Sequence, residues 1–262
     1  MIDSHCHLTG DRYADGVDAV LDRARAAGVR GMVAVAVDIP DSLATQALAG
    51  AHDDVWCTAG VHPSEAGRDH DVAALADLAT NPRCVAWGEM GLDGHWPDPP
   101  LERQKLLLES QLEVVMAADS VGARPLPLVL HSRKALAEVL GLLGETPIAG
   151  DRFIFHCFTD GPDEVKKVLQ LGSCVSFTGV VTYRNAADVA AASDLVPLDQ
   201  LMVETDSPYL TPEPLRGQRP NQPANVVHVA RFLAARRGMS LADFDAATDA
   251  TARRVFGFSL PH

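Results

Sequence analysis

The sequence predicts one α/β domain, a (β/α)8 TIM barrel with short C-terminal helices, and three observations predict it. Eight short β-branched or apolar runs alternate with eight longer amphipathic stretches from end to end. Strands alternating with helices imply βαβ units on a parallel sheet, and eight such units close into a barrel. The length of 262 residues suits one unit, because α/β barrels use ~200–250 residues, so residues 1–262 read as a single domain. Finally, the first strand leads into HCHLTGDRY (5–13) rather than a Gly-rich phosphate turn, which argues against a doubly wound open sheet.

The elements follow in order. The first strand is MIDSHCHL (1–8), with an amphipathic helix near 15–27, then RGMVAVAVD (30–38) with a helix near 41–51. VWCTAGVH (55–62) precedes a helix near 71–80, and RCVAWGEM (83–90) precedes a long helix near 100–120. PLVLHS (127–132), RFIFHC (152–157) and CVSFTG (174–179) are followed by helices near 133–144, 162–171 and 186–194. The last strand, LMVETD (201–206), precedes a helix near 223–237, and residues 240–257 read as one or two short helices closing the barrel. DGHWPDPP (93–100) and SPYLTPEPLRGQRPNQP (207–223) are Pro-rich and aperiodic, so they read as long loops on the catalytic face.

Composition narrows the function. Twenty-two Lys and Arg against 35 Asp and Glu leave a net charge of −13. That disfavours coating duplex DNA with a broad basic surface, but not a metal-lined cleft for phosphate, since bound cations invert the local field. The five cysteines (Cys6, Cys57, Cys84, Cys157, Cys174) form no CxxC pair and sit in apolar runs, so they read as buried packing in a reducing cytosol. Alternation is expected to turn Cys6 and Cys157 away from the site toward the helices. The N-terminus has no signal-peptide pattern, and no apolar run approaches ~18 residues, so a cytoplasmic protein without membrane contact is expected.

The chemistry begins at Asp3-Ser4-His5-Cys6-His7. On a strand, residues two apart share a face, so His5 and His7 project together as a chelating pair, with Asp3 as a supporting partner. Alone, this pair is as compatible with two incidental histidines. Glu89, His131, His156 and Asp206 then end strands four, five, six and eight. Barrel active sites form at the C-terminal strand ends, so four imidazoles and two carboxylates converge on one mouth. That donor set suits one or two divalent ions of Mg, Mn, Zn, Co or Fe. Arg133 shares the parity of His131 and suits bidentate phosphate contact. Gly179, Arg216 and Arg219 stand on loops where an anion can bind, and Trp96, Tyr183 and Tyr209 are aromatics available for base stacking. His52, His70, His95, His228 and His262 read as ordinary surface or packing residues. There is no GxSxG elbow and no P-loop.

The sequence resembles the TatD-family metal-dependent hydrolases, within the wider amidohydrolase-like barrel group. The resemblance is carried by DSHCHL (3–8), GVHPSEA (60–66), GEMGLD (88–93), Gln104, Gln111-Leu112, LHSRKA (130–135), FHCFT (155–159), ETDSPYL (204–210) and RRVFG (253–257). It implies that His5, His7 and Asp206 hold one metal, His131 and His156 the other, with Glu89 bridging. His62 and Arg133 would face the substrate phosphate, with Glu204 and Asp93 close by on the substrate side. The chain departs from the family pattern at Gly217–Pro223 and at Thr251. The four lysines fall in helical stretches, Lys134 at a junction, and none ends a strand, which makes Glu89 the expected bridge rather than a carbamylated lysine.

The resulting expectation is a monomeric hydrolase of phosphodiester bonds, with Asp206 and Glu89 as the catalytic carboxylates. By resemblance it is a 3′→5′ exodeoxyribonuclease acting on DNA ends or single-stranded DNA. Hydrolysis of another ester or amide, such as an aminoacyl-tRNA ester, is the alternative with the same ligands. A non-catalytic metal-binding partner would be expected to have lost some of the six donors.

Overall fold

The computed structural model describes residues 1–261; His262 lies outside the described residues. Eight parallel strands pair in chain order: β1 (Ile2–Cys6), β2 (Gly31–Ala34), β3 (Val55–Ala59), β4 (Cys84–Asp93), β5 (Leu128–Arg133), β6 (Phe153–Phe155), β7 (Cys174–Phe177) and β8 (Leu201–Val203). Between and after them run α1 (Val17–Ala26), α2 (Ile39–Ala51), α3 (Ala74–Leu78), α4 (Leu101–Ser120), α5 (Leu136–Gly144), α6 (Pro162–Gln170), α7 (Ala187–Leu195), α8 (Val226–Arg236) and α9 (Leu241–Phe256). The expected barrel is therefore the observed fold. Among the described residues, no helix is long and apolar enough to cross a membrane.

Local chemistry sets the helix ends. Asp38 caps α2 by accepting from the Asp41 N–H at 2.8 Å, with Pro40 in the first turn. Ser240 caps α9 in the same way at 3.1 Å, and Gly257, at φ 70°, ends it in the left-handed conformation. The tail is thus one helix rather than two.

Two apolar layers stabilise the barrel. Ile2, Val33, Val85, Val129, Ile154, Cys174 and Met202 fill its interior together with Phe256 and Phe258 from the tail. Phe258 stacks on Trp56 with ring centres 3.8 Å apart, so the tail plugs the end opposite the C-terminal mouth. Cys6, Cys57 and Cys84 belong to the outer layer, beneath the helices, as small buried hydrophobes.

The seam between β1 and β8 is closed at the mouth rather than along a ladder. Asp206 N–H donates to the His5 carbonyl at 2.9 Å, and His7 N–H donates to the Ser207 carbonyl at 2.8 Å. Asp3 fastens the same seam, its carboxylate accepting from the Thr205 N–H at 2.9 Å and the Thr205 hydroxyl at 2.6 Å. Asp3 therefore joins strands and does not orient an imidazole. Barrel closure itself brings His5, His7 and Asp206 together.

Candidate metal centre

Glu89 organises the mouth. It is 2% exposed, on β4, and each of its oxygens faces a different group of donors. Gly91, at φ 142°, follows closely; a Cβ there would lie 2.0 Å from the His131 carbonyl oxygen. Only glycine permits this approach of β4 to β5, and it places Glu89 against His131.

On one side, His5 Nε2 and His7 Nε2 stand 3.4 Å apart. Glu89 Oε2 is 3.3 Å from His5 Nε2 and 3.8 Å from His7 Nε2, and Asp206 Oδ1 is 3.7 and 3.4 Å from the same atoms. Two donors each ~2.1 Å from one cation stand ~3.4 Å apart at a tetrahedral angle, so these four atoms have the spacing of a cation site. On the other side, Glu89 Oε1 lies 2.7 Å from His156 Nε2 and 2.8 Å from His131 Nδ1, which are 3.3 Å from each other. His62 Nε2 lies 3.4 Å from both Glu89 Oε1 and His131 Nδ1.

The outward ring nitrogens show which inward nitrogens are free to ligate. His7 Nδ1 lies 3.0 Å from the Val35 carbonyl, which only accepts, so that nitrogen carries the proton and Nε2 offers its lone pair inward. Asp93 Oδ2 stands 3.4 Å from His131 Nε2 and Glu204 Oε1 stands 3.4 Å from His156 Nδ1, near enough to favour a proton on those outward nitrogens although neither pair has hydrogen-bond geometry. His5 stacks on His156 at 3.9 Å between ring centres, and its outward Nδ1 is buried without a partner. His62 differs. The Ser64 N–H donates to its Nδ1 at 3.1 Å, so a neutral His62 carries its proton on Nε2, facing the centre as a donor. In their neutral forms these rings turn lone pairs toward one another at 3.3–3.4 Å, a repulsion that a shared proton or a divalent ion relieves, so the donor set fits two divalent ions sharing Glu89.

Charge agrees with this. Burial opposes ionising Glu89, yet the surrounding imidazoles outweigh it and hold the carboxyl well below its usual range. Asp206 is held low in the same way, chiefly by His7. In the metal-free protein burial also opposes protonating His156, His131 and His7. The carboxylates beside them prevail and raise all three, whereas burial lowers His5 and His62.

Above the cluster opens a cavity of about 780 Å3, lined among others by His7, Arg12, His62, Asp93, Trp96, Arg133, Asp206 and Tyr209. Arg133 and Asp93 both line this cavity, with Arg133 Nη1 3.9 Å from Asp93 Oδ2. Glu204 is not on the substrate side. It is 1% exposed, and its oxygens accept from the Cys157 N–H at 2.7 Å and the Ser176 hydroxyl at 2.5 Å, beneath His156. Cys157 corrects the opposite way: β6 ends at Phe155, Cys157 adopts φ 44°, and the residue lines the cavity, its Sγ 3.5 Å from the Thr178 hydroxyl, instead of packing under helices. Gly179 is no open phosphate cradle, since a Cβ there would lie 2.0 Å from the Leu210 carbonyl oxygen; it lets two loops pack. Tyr183 donates its hydroxyl to the Thr211 carbonyl at 3.0 Å and lies under Arg216, 3.8 Å from its ring centre, outside the cavity wall. Arg12 was not expected there; an aperiodic loop gives no sign of where its residues point.

The barrel and the imidazole and carboxylate donors gathered at its mouth are those of a metal-dependent hydrolase. Within that class the chain belongs to the TatD related DNase family, whose profile matches residues 2–257. It is 38% identical over 259 residues to the uncharacterized metal-dependent hydrolase YcfH of Escherichia coli (strain K12), covering 98% of this chain and 95% of that one. It is 34% identical over 266 residues to the 3′-5′ ssDNA/RNA exonuclease TatD of Klebsiella pneumoniae (strain 342), covering 99% of each. The crystal structure of YjjV, a TatD homolog from Escherichia coli K12, superposes with a TM-score of 0.89 at 27% identity, covering 99% of this chain and 98% of that chain.

Proposed function

We propose that this protein hydrolyses phosphodiester bonds at the 3′ ends of single-stranded DNA, releasing mononucleotides. The observation that carries the reading is the division of Glu89 between two donor groups at the floor of an open cavity that also presents Arg133. The relative named as a 3′-5′ ssDNA/RNA exonuclease supports the choice of substrate.

His5, His7 and Asp206 would hold one ion, His131 and His156 the other, with Glu89 between. Divalent ions held there would lower the pKa of a water to ~7 and draw charge from phosphoryl oxygens. The residues do the rest. Asp206 sits at the cavity edge as a carboxylate and takes the proton of the attacking water. Arg133 donates to the non-bridging oxygens, and Asp93 holds it beside His131. His62, with its proton on Nε2, donates to the same phosphate.

The test is incubation with 3′- and 5′-labelled single strands across Mg, Mn, Co and Zn. The reading expects immediate release of the 3′ label as mononucleotide and stepwise shortening of the 5′-labelled strand. Failure with every metal on every strand would reject it.

A further inference from the structure

Two large aromatic rings stand at the rim of the cavity with most of their surface in solvent, Trp96 at 60% and Tyr209 at 52% exposure. The other two tryptophans, Trp56 and Trp87, are buried at 3% and 2%. Trp96 lies on the loop after β4 and Tyr209 on the loop after β8. These strands are four places apart in a ring of eight, so the two loops rise from opposite sides of the barrel.

Neither ring rides on a loose loop. The Asp93 carboxylate accepts from the His95 N–H at 2.7 Å, and His95 packs edge-on against Trp96 at 4.7 Å. Buried Gln104 closes that loop, donating to the Pro99 carbonyl at 2.8 Å and the Asp93 carbonyl at 3.0 Å. Across the mouth, buried Asn221 donates to the Tyr209 carbonyl at 2.6 Å and the Thr205 carbonyl at 3.1 Å. Arg12 donates Nη1 to the Tyr209 hydroxyl at 2.9 Å and Nε to the Thr9 carbonyl at 3.1 Å. Among the described residues, no carboxylate lies within ion-pair distance of Arg12, which with Arg133 supplies the cations of the cavity wall.

Exposed aromatic faces on braced loops, one of them beside a guanidinium, at the rim of a cavity whose wall carries two arginines are the elements of a stacking platform for nucleic acid. We propose that Trp96 and Tyr209 form a two-sided nucleobase grip, Tyr209 and Trp96 each taking one unpaired base beside the scissile linkage and Arg12 the adjoining phosphate. The proposal rests on the phosphodiester reading and deepens it. Stacking accepts every base, so the grip is tolerant of sequence. It selects for single strands, because a base within a duplex has its faces covered by its neighbours.

The experiment has two arms. In the first, metal-loaded protein is titrated with a short oligothymidylate carrying phosphorothioate terminal linkages, and tryptophan emission is read. Trp96 is the exposed tryptophan, so stacking should quench its emission, and a strand with abasic terminal residues should not. In the second arm, Trp96→Ala and Tyr209→Ala should each raise KM for single-stranded DNA about 5- to 100-fold, the range of one base–aromatic stack. On the abasic strand each variant should match the wild type. Quenching without hydrolysis would leave the grip standing and reject the nuclease. Hydrolysis with no quenching, or with variants equal to wild type on normal strands, would overturn the grip.

Discussion

His62 and His7 both present Nε2 to the centre, yet opposite backbone partners give them opposite roles. A carbonyl on His7 Nδ1 leaves a lone pair facing inward, and an N–H on His62 Nδ1 leaves a proton there. Replacing His5 or His131 by Ala should remove one donor from each side of Glu89. Each variant should bind less metal by elemental analysis and lose most of its kcat, about 10–100-fold or more, with an unchanged far-UV spectrum. Wild-type metal content in both would show the ligands to be misplaced. Protons give a second check. Neighbouring carboxylates outweigh burial and raise His7, His131 and His156, so metal must compete with protons for these rings. Loading should release protons at pH 7, and apparent affinity should rise with pH across the imidazole range. Calorimetry in two buffers of different ionisation enthalpy measures this; zero net release contradicts it.

At the scale of elements, the strand ladder and the glycines inside it set the site. Gly91→Ala drives a Cβ against the His131 carbonyl and needs the positive φ that alanine resists. The variant should lose about 1–3 kcal/mol of stability in denaturant titration and bind metal weakly, because β4 and β5 carry Glu89 and His131. Unchanged stability and metal content would contradict that. The same ladder explains what the sequence reveals. Alternation applies within hydrogen-bonded strands, so His5, His131 and Arg133 could be placed by counting. β6 and β8 end at Phe155 and Val203, and Cys157 (φ 44°) and Asp206 (φ 49°) beyond them are in left-handed turns. Counting therefore put Cys157 on the wrong face. The burial of Glu204 under His156 and the place of Arg12 on the wall depend on contacts between distant segments, which no local pattern carries.

For the whole molecule, a net charge of −13 means general attraction to a polyanion adds little affinity, and the local donors of the cavity must hold the strand. A footprint of about one to three phosphates gives a shallow salt dependence, with log K falling ~0.7 per contact on single strands. Binding measured from low to moderate salt should show that slope, and closed circular DNA should remain uncut; a steep slope or rapid nicking of circles contradicts a local, end-acting site. Overall architecture was the most legible feature, because eight alternating units leave few topologies. The central claim is that the imidazole–carboxylate cluster works only with divalent metal. Release of mononucleotides from 3′-labelled single strands, measured in excess EDTA and again after metal is restored, tests it most directly. The account predicts that turnover disappears with the chelator and returns with metal. Undiminished release in excess chelator would contradict it.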